Sequence, residues 1–108
     1  MAQYAILLYA SGSAGDDAAH DQHARDLQTS DTLIAAFALE SAETATTVSG
    51  DAVTDGPFVD AKEVIAGIYV VDAEDLYAAI DIARANPSTR FGGAVEVRPV
   101  AGGVVMRR

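Results

Sequence analysis

Tyr4-Ala-Ile-Leu-Leu-Tyr9 is a short apolar run closed by the Ser11-Gly-Ser-Ala-Gly15 loop, and its length reads as strand, not helix. Both of its faces are apolar. That is the pattern of a central strand covered on each side, and one layer of helices covers only one side. With 108 residues the chain is a single domain over 1–108, large enough for a core yet small enough to leave much apolar surface wet in a monomer. A second copy is the natural cover for the other face.

Downstream of this strand, Asp16 to Ser30 holds no Gly or Pro and opens on Asp16 and Asp17, as a helix N-terminus prefers. Ala24 and Leu27 give that helix a thin buried stripe. Leu33-Ile-Ala-Ala-Phe-Ala-Leu39 suits strand or helix by propensity alone. Ala42 to Val48 reads as a threonine-rich strand, turned back by Ser49-Gly50-Asp51 onto Ala52-Val53 as a small hairpin. Ile65 to Val71 is β-branched and reads as strand. The period then switches: Leu76, Ala79, Ile80 and Ala83 share a helix face, Asp72 is a candidate N-cap, and Pro87 ends the helix after Asn86. Ala94 to Val100 sets Val95 and Val97 against Glu96 and Arg98, a strand with one buried face. Ala101 to Arg108 is a frayed tail or a short edge strand. Strand, helix, strand, hairpin, strand, helix, strand is an α+β order, the ferredoxin-like βαββαβ antiparallel sheet with two helices on one face. Its bare face exceeds what a monomer tolerates, so a homodimer burying roughly 1,200–2,000 Å² is expected, two sheets face to face as a dimeric α+β barrel.

Composition narrows the partners. A net charge of −9 repels nucleic-acid phosphate, and the few basic residues, five of seven from Arg84 onward, are too sparse for an electrostatic footprint. No nucleic acid is expected. Cysteine is absent, which removes disulfides and thiol nucleophiles. Met1-Ala-Gln carries no basic leader and no apolar run has bilayer-spanning length, so the expectation is a soluble, cytoplasmic protein with no membrane partner.

Val53-Thr-Asp-Gly-Pro-Phe-Val-Asp-Ala-Lys-Glu63 concentrates a turn, an acid and a Lys62–Glu63 pair between two strand-like segments. Pro57 is expected to push Gly56 towards extended backbone and leave Asp55 at a bend. This loop resembles the Asp-Gly-Pro-Phe signature of the YCII-related family, small bacterial proteins of the dimeric α+β barrel group. The resemblance covers most of the chain: Glu43-Thr-Ala-Thr-Thr-Val48 is similar to the family's strand before the loop, and Gly67-Ile-Tyr-Val-Val-Asp72 and Val95-Glu-Val-Arg-Pro-Val100 to its last core strands. It implies the fold without naming a substrate, and it implies a histidine on the first helix, for which His20 matches better than His23.

Acid–base chemistry is the reading these residues favour. An imidazole with an ordinary pKa near 6.5 is a natural general base at neutral pH, and a carboxylate beside it fixes its tautomer. His20 is the candidate base and Asp55 its partner, while Tyr9, Phe58 and Tyr69 offer apolar walls and hydroxyl handles for a small cyclic or carbonyl-bearing molecule. Lys62 and Arg98 are candidate binding residues beside them. The bland alternatives are equally concrete: Asp55 as turn punctuation, both histidines on a solvated face, the aromatics as core, and Glu96 with Arg98 as a structural pair. His20 and His23 with Asp16 or Asp17 make a poor metal set, since paired helical ligands favour i, i+4 spacing and no further Cys or His completes it. No nucleophile elbow or P-loop occurs. The expectation is a small enzyme of lyase or isomerase kind without cofactor or metal; the alternative is a non-catalytic small-molecule-binding or accessory module.

Overall fold

The computed structural model describes residues 2–11, 17–59, 63–89 and 92–106, with the side chains of 11 and 17–21 outside the described set. Strand β1 is Ala2–Ser11, helix α1 Asp17–Thr29, β2 Leu33–Ala38, β3 Thr46–Ser49, β4 Ala52–Asp55, β5 Glu63–Ala73, helix α2 Leu76–Arg84 and β6 Ala94–Pro99. The main sheet runs β2-β5-β1-β6 with every neighbour antiparallel, the ferredoxin-like order, and β3-β4 stands apart as a two-stranded ribbon. The doubly apolar Tyr4–Tyr9 run lies centrally in β1, hydrogen-bonded on one side to β5 and on the other to β6.

Alternation sorts the sheet into two faces. Tyr4, Ile6 and Leu8 share one face with Val71, Tyr69 and Gly67 opposite them, and with Val97 and Val95 on β6. This face meets the helices. Ile6 and Val71 are fully buried there, each contributing about 1.5–3 kcal/mol by leaving water. Ala79 and Ala83 of α2 join them, and their small side chains let the helix lie close to the sheet. The other face carries Leu7, Ile68, Val70 and Phe37, only half-buried or exposed, with no described element over them.

Several local details differ from the sequence reading. The α2 N-cap is Asp75, whose Oδ1 accepts from Ala78 N at 2.9 Å, because β5 continues through Asp72 to Ala73 in register with β1. Ala42–Thr44 forms a 3-10 turn instead of opening the strand. Ala24 is exposed, so Leu27 alone among the two anchors α1. Gly56 has φ 99° and is not extended, a backbone that a side chain would strain. At Gly93 the reason for glycine is space: a Cβ would stand 2.3 Å from Tyr9 O. Residues 101–106 hold no regular structure and are exposed. Asp16 and Asp60–Lys62 lie outside the described residues.

One irregularity matters for the site. Leu8 pairs with Gly67 but Tyr9 with Ile65, so Ala66 is an extra residue on β5, and its carbonyl accepts from Leu39 N at 2.9 Å. This bulge opens the sheet end where β1, β2 and β5 meet, as bulges beside sites do.

Candidate functional site

Between α1 and the sheet lies a cavity of about 500 Å³, walled by Leu8, Leu27 and Leu33 and by the polar residues His23, Gln28, Tyr69 and Asn86. Of these, His23, Tyr69 and Asn86 arrive from different elements. His23 stands four residues before Leu27, so the same helical face that buries the leucine turns the imidazole inward. Its Nε2 is buried, and its ring meets Tyr69 edge-on, centroids 6.0 Å apart at 71°. Such a T-shaped pair adds about 0.5–1.5 kcal/mol beyond burial.

Tyr69 comes from the helix-facing register of β5 and is 4% exposed. Burial raises its pKa above the ordinary 10.0, and the neighbouring Asn86 side chain offsets part of that rise. Asn86 is 1% exposed and directly precedes the 3-10 turn Pro87–Thr89. Its Oδ1 accepts from Ser88 N at 2.8 Å and its carbonyl from Thr89 N at 3.1 Å, so both oxygens brace that turn. The amide nitrogen is left as a donor towards the tyrosine oxygen. No hydrogen bond of ordinary geometry reaches the Tyr69 hydroxyl among the described residues. The cavity wall includes no Lys, Arg, Asp or Glu among them either. It can take an apolar body with a neutral polar group.

A second hollow, about 640 Å³, opens where the Pro57–Val59 loop faces the ends of β1 and β5. Tyr9 and Phe58 line it together with Glu40 and Glu63, and Phe58 is 80% exposed. Tyr69 lies in the other cavity, so the structure divides the expected aromatic wall between two places. Asp55 ends β4 opposite Thr46 and is exposed. Its turn is held without it: Gly56 N donates to Ala45 O at 2.7 Å, and Thr47 Oγ1 donates to Gly56 O at 2.7 Å. Arg98 pairs through Nε with Glu96 Oε2 on exposed β6 positions, the structural arrangement weighed above. Lys62 and the side chain of His20 lie outside the described residues. In the sequence Asn86 is simply the last residue before the Pro87 helix stop, and the available signal for it is the Asn-Pro dipeptide, which starts turns.

A profile of the YCII-related domain matches residues 2–102. An uncharacterized protein of Rhizobium meliloti (strain 1021) is 49% identical over 53 residues, a match that spans 45% of this chain and 40% of that relative's length. With the Asp55-Gly-Pro-Phe58 loop and the whole ferredoxin-like sheet inside the matched span, the chain belongs to the YCII-related domain family.

Proposed function

We propose that this YCII-related chain, as a homodimer, takes up a small, largely apolar molecule beneath α1 and performs general acid–base chemistry on it, of lyase or isomerase kind. The observation that carries the reading is the helix-borne His23 in the wall of a cavity of about 500 Å³, a volume within the range of small-molecule sites. An imidazole on a rigid helix, opening onto an apolar space, is the side chain best suited to move a proton at neutral pH. The homodimer is supported by the uncovered apolar face of Leu7, Phe37, Ile68 and Val70, which in a lone copy would stay in water.

A second reading places the chemistry on His20 with Asp55. It is favoured by the exposed Asp55 carboxylate, which takes no part in holding its own turn among the described residues. Deuterium uptake next to the carbonyl of cyclohexanone in D2O separates the readings. Wild-type protein is expected to accelerate uptake with a bell-shaped pH profile. His23→Gln abolishes the acceleration under the first reading, whereas His20→Gln and Asp55→Asn abolish it under the second. Ligand-induced thermal stabilisation with no uptake in any variant contradicts both and leaves a binding module.

A further inference from the structure

The Tyr69 hydroxyl is buried and engaged by no ordinary hydrogen bond among the described residues, yet it stands in the wall of a cavity. Buried polar groups are nearly always satisfied, because an unsatisfied one forfeits its hydration without return. The usual explanation would be the neighbouring amide. Asn86 does not supply it: its Oδ1 accepts from Ser88 N, and the Tyr69 hydroxyl makes no hydrogen bond of ordinary geometry to the lone pair that oxygen has left. The phenolic proton is therefore short of an acceptor, and the open direction is the cavity.

We infer that Tyr69 is the recognition donor of the site beneath α1, holding the carbonyl oxygen of a neutral ligand whose apolar body lies against Leu8, Leu27 and Leu33. This rests on the cavity reading above and specifies the ligand class. Neutrality follows from the wall: among the described residues neither Lys nor Arg lines it to hold a carboxylate, in a chain already carrying a net charge of −9. A hydroxyl-only ligand is a weaker match, since its own proton would compete against the Asn86 donor. The T-shaped contact with His23 fixes the tyrosine ring and sets the imidazole beside the group that Tyr69 holds. The bulge at Ala66 and the buried turn at Asn86 confine the carbonyl from the other sides.

The test uses a matched pair of probes, acetophenone and its hydrocarbon isostere α-methylstyrene, titrated into the full chain and followed by amide chemical shifts. Wild-type protein is expected to bind acetophenone about three- to tenfold more tightly, the worth of one neutral hydrogen bond. Shifts should centre on α1 and β5. In Tyr69→Phe the hydrocarbon's affinity is retained and the preference disappears. On wild-type protein the C=O stretch of bound acetophenone moves to lower frequency than in cyclohexane, a readout that does not depend on the variant folding. An unshifted stretch, equal affinities in wild type, or a preference that survives Tyr69→Phe overturns the role of Tyr69 while leaving the cavity reading intact. Absence of shifts on α1 and β5 with either probe overturns the cavity reading and the inference together.

Discussion

Tyr69 makes opposite demands on stability and on recognition. Its hydroxyl lacks an acceptor among the described residues, and removing it lifts that cost but takes the tyrosine oxygen away from the buried Asn86 amide nitrogen, so Tyr69→Phe is expected to move stability at pH 7 by less than about 1 kcal/mol. The pH dependence has a definite sign. Because burial lifts the folded-state pKa above 10.0, the unfolded chain gives up this proton first as pH rises. Stability is fully present below pH 10.0 and falls from there through the folded-state value, and Tyr69→Phe removes that part of the alkaline decline. Thermal melts of both proteins between pH 8 and 11 measure it. Asp55 offers a contrasting residue-level test, since its turn is braced by Gly56 N and Thr47 Oγ1. Both Asp55→Asn and Asp55→Ala are expected to move stability by less than about 1 kcal/mol. Loss of more than that in Asp55→Ala, with Asp55→Asn silent, would make Asp55 a turn residue.

At the level of elements, most strands were legible because each had a local signature: two apolar faces in β1, β-branched density in β5, alternation in β6. The start of α2 lies about one turn beyond the Asp72 cap that the sequence suggests. Asp72 and Asp75 are both competent caps, and what separates them is non-local, the pairing of Asp72 with Gln3 across β1 that keeps it in the sheet. Asp75→Ala is accordingly expected to cost about 1 kcal/mol and Asp72→Ala much less, as urea denaturation would show. The ambiguous alanine-rich run Leu33–Ala38 became strand for a similar reason, since β5 offered it a partner edge. The site was harder to read. His23, Tyr69 and Asn86 come from a helix, a strand and a turn, and no period or spacing in sequence announces that they converge.

For the whole molecule, one sheet face has helices and the other has none among the described elements. The sequence pattern of β1 implied that asymmetry, and the observed face of Leu7, Phe37, Ile68 and Val70 gives it residues. Sedimentation at micromolar concentration is expected to give twice the 11.2 kDa chain mass. Phe37, 65% exposed in the single chain, is the sharpest probe: Phe37→Asp should yield folded monomers, while a wild-type monomer would defeat the homodimer.

The central claim is that the space beneath α1 is a ligand site, and a crystal structure of the protein soaked with acetophenone tests it most directly. The account predicts the ketone between α1 and the sheet, its oxygen within about 3 Å of the Tyr69 hydroxyl and its ring against Leu27. Ketone bound only in the hollow beside Phe58, with the space beneath α1 closed by the helix settling onto the sheet, would contradict it.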